Sequence, residues 1–139
     1  MDRYLIETDF LFGLRPSDKY YIKVKKMLEL SKNKKIELKI TNSAIFETRT
    51  VLYSQGKNSK EIYTILTLMK EKLNENNIKE EYVRFDDFIL ADYLRSKHPE
   101  LTFFDSLHVA VSKNRNIPLC GNDSVLINLG FIIKNFNDF

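Results

Sequence analysis

Cysteine is nearly missing from this chain of 139 residues: Cys120 stands alone, and only two histidines, His98 and His108, accompany it. A lone thiol excludes a disulfide framework and a thiolate zinc site, and it suits a reducing compartment. The two histidines lack metal-ligand spacing relative to each other, so any bound metal is expected on oxygen ligands. Long apolar runs are absent too, which excludes a membrane-spanning helix. The opening stretch MDRYLIETDF is too acidic for a signal peptide, and a cytoplasmic location is the expectation. No Gly-x-Ser-x-Gly elbow surrounds Ser106, and Gly56-Lys57 lacks the earlier glycine of a phosphate-binding loop, so neither a serine nucleophile nor a P-loop is indicated. No internal repeat or low-complexity linker interrupts the chain.

What is present is a core. Apolar residues make up 43% of the chain, enough for one domain spanning residues 1–139. The 22 basic and 19 acidic residues leave a formal charge of +3. Lysines cluster at Lys23, Lys25 and Lys26 and again at Lys32, Lys34 and Lys35; such runs permit nucleic acid but are most simply solvated helix faces and turns.

Periodicity then lays out the elements. Tyr4–Ile6 is a short apolar strand running into Glu7-Thr8-Asp9, followed by an Arg15-Pro16-Ser17 turn. Apolar positions recur at helical spacing from Asp18 to Ser31, and Ile36, Leu38 and Ile40 alternate with charge as strand two. Asn42 or Ser43 caps a helix that contains Glu47 and ends at Gly56. Asn58 and Glu61 have capping-box spacing ahead of a long amphipathic stripe, Ile62 to Leu73. Tyr82, Val83 and Phe85 form strand three, with Asp86 capping the next helix. Thr102 and Asp105 open another helix through Asn114, Ile117–Cys120 is strand four, and Ile132-Ile133 is the last strand. Strands separated by helices require crossovers, so the class is α/β, with a mostly parallel sheet of four or five strands covered by helices on both faces.

In such sheets ligands bind beyond the carboxyl ends of the strands. What falls there is acidic. Glu7 and Asp9 finish strand one and, two apart on an extended segment, point to one side; Asp123 follows strand four; Glu47 and Asp105 sit near the starts of helices facing the same edge. Taken alone, Asp105 could be a helix cap, Asp123 turn chemistry and Glu47 an exposed helix acid, and Glu7 and Asp9 could pair with Arg15 or Arg49. Together they imply a divalent cation, because clustered carboxylates repel one another until one neutralises them. Two metal ions held roughly 3.5–4 Å apart can cleave a phosphodiester without a protein nucleophile. His108, one turn after Asp105 on an apolar helix, reads as a packed core histidine outside the site.

The segments YLIETDFLFGL, ITNSAIFE, FFDSLHVAV and IPLCGND, in that order, resemble the PIN-domain nucleases, which include the VapC-type toxins of toxin–antitoxin pairs. The resemblance spans essentially the whole chain. It implies a three-layer α/β/α sandwich, a pocket binding Mg2+ or Mn2+, endoribonuclease activity on RNA, frequent homodimers and, for toxins, an antitoxin partner. Glu47, Asp105 and Asp123 match acids of the family. The first motif departs from it: the family's Asp-Thr-Asn is Glu7-Thr8-Asp9 here, so Glu7 or Asp9 supplies the first-strand carboxylate. Gly121 stands where the family often has Thr or Ser. These departures leave, beside the nuclease, the alternatives of a weak or inactive RNA- or protein-binding module and of a housekeeping RNA-processing enzyme.

Overall fold

The computed structural model describes residues 1–139. Strand β1 (Asp2–Ile6) is followed by α1 (Thr8–Phe12), α2 (Tyr21–Lys32), β2 (Ile36–Thr41), α3 (Asn42–Ser54), α4 (Ser59–Glu75), β3 (Lys79–Glu81), α5 (Phe85–Lys97), α6 (Phe103–Arg115), β4 (Leu119–Cys120), α7 (Ser124–Asn128), β5 (Ile132–Lys134) and a 3-10 turn at Phe136–Asp138. All five strands are parallel, in the order β3-β2-β1-β4-β5. No helix is long and apolar enough to cross a membrane.

Side-chain alternation along β1 divides the core into two layers. Tyr4 and Ile6 join Leu38 and Ile40 of β2 under α1, α2 and α4, with Phe10, Val24, Met27, Met69 and Leu73. Leu5, between them, points the other way and joins Leu119, Ala91, Leu94, Val109 and Val111 under α5 and α6. A central strand apolar on both faces is what a sheet covered on both sides demands. The last residues complete the first layer: Phe136 is buried edge-on between Phe10 and Tyr20, and Phe139 meets Tyr4.

Two expected boundaries moved. Strand three is Lys79–Glu81, not Tyr82–Phe85: it pairs through its backbone with Lys39–Thr41 of β2, whereas the Val83 N–H donates to the Asn42 side chain at 3.0 Å. An edge strand needs backbone groups to pair and little apolar side chain, so Lys-Glu-Glu carries no strand signature. The helix that follows begins one residue before Asp86, with Arg84 as its N-cap and Asp87 accepting from the Arg84 N–H at 2.7 Å.

Capping elsewhere follows the residues closely. Asn58 and Glu61 make both bonds of their capping box. Gly56, just past the end of α3, has φ of +85°, a conformation that favours glycine. Helix α3 is capped by Thr41 rather than by Asn42 or Ser43, and the Thr41 side chain accepts from no backbone N–H of the helix.

Candidate active site

The chain order reverses between β1, which leads to β2 on one side, and β4, reached on the other by the long return through α5 and α6. A crevice opens at such a switch point, outside the carboxyl ends of the two strands. Glu7 follows β1 directly and Asp123 lies three residues after the end of β4.

Asp9 does not continue an extended strand, as alternation suggested. The backbone turns at Glu7, which becomes the N-cap of α1, its Oε2 accepting from the Thr8 N–H at 2.8 Å, and Asp9 lies in the first helical turn. The two acids are delivered by a strand-to-helix turn. Glu7 is only 5% exposed.

Glu47 reaches the same place from the second turn of α3. Its Oε1 accepts from the Thr8 hydroxyl and lies 3.0 Å from His108 Nε2. His108 in turn is 3.9 Å from Glu7 Oε2. One donor atom from each of Glu7, Glu47 and His108 falls within 4.8 Å of the others. Asp105 is in the first turn of α6; the Thr102 hydroxyl accepts from its N–H at 3.2 Å, but the reciprocal bond that would occupy the Asp105 carboxylate is not made. Asp123 does serve as an N-cap, with Oδ1 accepting from the Leu126 N–H at 3.0 Å, so its turn role is real.

The charges act on one another. Burial raises the Glu7 carboxyl well above its ordinary range; the charges of Asp9, Glu47 and Asp105 add to the rise, against the Thr8 N–H. Burial also raises Asp9, with Asp123 and Glu47 adding while the Asn122 side chain and Lys19 oppose. For Asp105 burial again leads, Asp123 and Glu47 reinforce it, and Thr102 and His108 pull the other way. Glu47 is the exception: burial is outweighed by its bonds to His108 and Thr8, and its pKa is lowered. All five acids of the sequence reading therefore share one electrostatic neighbourhood, with Glu7 and Glu47 in its tightest part.

No lysine or arginine forms an ion pair with any of the five. Arg15 lies over the Phe12 ring and Arg49 over the Tyr53 ring, so neither rescues Glu7 or Asp9. The Asn122 amide nitrogen is buried and favours the ionised form of Asp9, but its geometry falls short of a formed hydrogen bond. A buried Glu7 and half-buried Asp9 and Asp105, with raised pKa values and no lysine or arginine paired to them, fit a divalent cation held by oxygen ligands.

Gly121 and Glu7 explain each other. A Cβ at position 121 would lie 3.3 Å from Glu7 Oε1 and 3.1 Å from Ile132 Cδ1. The longer acid fills the space that a side chain at 121 would take.

His108 is the residue that sequence reasoning left out. It is fully buried, as a core histidine should be, yet its polar edge faces the carboxylates. Its spacing of three from Asp105, on one helix face, was the available signal.

No family model matches the sequence, and no curated protein matches it. Solved structures do. The Mycobacterium tuberculosis toxin VapC20, which cleaves the sarcin–ricin loop, superposes with a TM-score of 0.72 at 18% identity, over 93% of this chain and 96% of that one. The fold is that of the VapC toxins. VapBC2 from Rickettsia felis, bound to a DNA fragment from its promoter, matches with a TM-score of 0.70 at 16% identity, over 96% and 98% of the two chains. FitAcB from Neisseria gonorrhoeae matches at 0.64 and 17%, over 97% of each. Identity this low speaks for the VapC fold, a parallel α/β sandwich as the sequence implied, and the chemistry has to be argued from the side chains.

Proposed function

We propose that residues 1–139 form one PIN-like domain acting as an endoribonuclease that depends on a divalent metal ion, Mg2+ or Mn2+, and serves as the toxin of a VapBC-type pair. The observation that carries this reading is the meeting of Glu7, Glu47 and Asp105, with Asp9 and Asp123, at the switch point of the sheet with no lysine or arginine paired to them. Two neighbours in fold space support the toxin assignment, one a toxin that cleaves the sarcin–ricin loop and one a toxin–antitoxin complex from Klebsiella pneumoniae.

In this reading Glu7 or Asp9, Glu47, Asp105 and Asp123 hold the ion. When bound, it supplies the Lewis acidity that hydrolysis of a phosphodiester requires. Glu47, kept ionised by His108 and Thr8, is a ready anionic ligand at neutral pH. Glu7, raised by burial and by its neighbours, gives up its proton less readily than an ordinary carboxyl. The attacking group in this reading is water: its oxygen joins phosphorus as it gives up a proton, the bond to the leaving ribose oxygen breaks, and that oxygen takes up a proton. Surface lysines steer the RNA backbone. The cytoplasmic location, the antitoxin and the homodimer belong to the same proposal.

Asp105→Asn tests it, because the change removes charge with little change in shape. RNA cleavage in Mn2+ or Mg2+ should be abolished while circular dichroism and thermal melting report a folded domain. Full activity in this variant rejects the assignment.

A further inference from the structure

His108 sits within a short polar chain that runs through the protein interior from Thr41 to Glu47. Thr41, at the carboxyl end of β2, places its hydroxyl 2.7 Å from Ser43 Oγ; Ser43 Oγ lies 2.7 Å from His108 Nδ1; His108 Nε2 lies 3.0 Å from Glu47 Oε1. Thr41, Ser43 and the imidazole are all buried. The Phe104 ring lies beside the imidazole, its centroid 6.5 Å away at an interplanar angle of 24°.

The direction of this chain follows from what each group can do. An ionised carboxylate only accepts, so the hydrogen between His108 and Glu47 belongs to Nε2. In the neutral ring Nδ1 then accepts, the Ser43 hydroxyl donates to it, and Ser43 Oγ is left to accept from Thr41. Every buried polar atom in the row is satisfied by its neighbour.

The consequence falls on Glu47. Thr8 and His108 both bond to Oε1, and no protein donor reaches Oε2. A carboxylate on a freely rotating side chain has no reason to present one oxygen in preference to the other. Here two donors from different segments, one on α1 and one on α6, hold Oε1 and leave Oε2 free.

We propose that His108 is a positioning residue: anchored by Ser43 and Thr41, it holds Glu47 so that its free oxygen faces the cation site, and it sets metal affinity without being a ligand itself. This rests on the reading that Glu47 binds the cation. Polar groups that orient metal-bound side chains change affinity by about ten- to a hundredfold when removed.

Mn2+ binding to the full chain, measured by calorimetry, tests the inference apart from catalysis. His108→Ala should weaken binding about tenfold or more. His108→Gln, whose amide can still donate to Glu47, should recover most of the loss. Ser43→Ala, a smaller change that leaves the imidazole in place but unanchored, gives an intermediate effect and serves if His108→Ala fails to fold. In the wild type, electron paramagnetic resonance of bound Mn2+ should show no nitrogen hyperfine coupling. Unchanged Mn2+ affinity in folded His108→Ala or Ser43→Ala overturns the inference and leaves the metal-site reading standing. Nitrogen coupling in the wild type also overturns it, by making His108 a ligand. A wild type that binds no Mn2+ overturns both.

Discussion

Two buried acids in this molecule are handled in opposite ways. Asp87, in the first turn of α5, is fully buried and completely answered: Arg115 donates to both of its oxygens at 2.9 and 2.6 Å, Asn114 donates at 2.8 Å, and the Arg84 N–H at 2.7 Å. Burial pushes its pKa up, the bonds from Arg115 and its other partners outweigh burial, and the result lies below the ordinary value. Glu7 is almost as buried, but its neighbours are more acids, and its pKa rises. The first arrangement is complete within the chain and ties α5 to α6. The second is incomplete, and an incomplete cluster of charge is where a ligand belongs.

Removing the partner from the complete site should have the largest effect on stability. Arg115→Met leaves Asp87 buried and unpaired, and the cost should be about 3–5 kcal/mol in urea unfolding. A loss below about 1 kcal/mol would mean that water or a shift of α5 replaces the arginine, and the contrast between the two sites would weaken.

A smaller effect is expected where Glu7 meets Gly121. Gly121→Ser should crowd Glu7 Oε1 and Ile132 and destabilise the metal-free protein by about 1–3 kcal/mol, the usual range for overpacking. Glu7→Asp in the same chain should recover part of this, because the shorter acid withdraws while the contact with Ile132 Cδ1 remains. Additive losses in the double variant would show that the two positions are independent.

The subtlest difference lies in pH. Glu7, Asp9 and Asp105 bind protons more tightly folded than unfolded, since their folded pKa values exceed the ordinary 4.5 and 3.8. Their contribution to stability is therefore fully present below those ordinary values and is lost as pH rises through the raised ones. Asp87, with its pKa lowered, does the reverse: its contribution is present above 3.8 and is lost as pH falls through its folded value. Urea midpoints of the metal-free protein should thus decline on the alkaline side of pH 4.5, and Glu7→Gln should flatten that decline and raise the melting temperature at pH 7 by a few degrees. Saturating Mn2+ should flatten it as well. A decline unchanged in Glu7→Gln would remove Glu7 as its main source.

Much of this was legible in the residues, and the exceptions share a cause. The alternation of Ile36, Leu38 and Ile40, the Asn58–Glu61 capping box and the helical period of Ile62 to Leu73 all report local geometry, and each element stands where it was expected. Strand β3 escaped because an edge strand is defined by backbone pairing with β2. Helix α1 escaped because a single turn is too short for a period; only the acid at its N-cap marks it. That Glu47, Asp105 and Asp123 gather at one edge of the sheet was legible from their positions, whereas the contacts of His108 required knowing that Ser43 and Glu47, 65 and 61 residues away along the chain, lie on either side of its ring.

The sequence by itself determined that the sheet is parallel and covered on both faces, that no soft metal ligands are clustered in it, and that acids follow the strands and open the helices. Those properties depend on the identity and spacing of neighbouring residues. Only the tertiary structure decided that Asp87 meets an arginine while Glu7 meets other acids, because electrostatic energy depends on distance in space, and the chain sets that distance only when it closes.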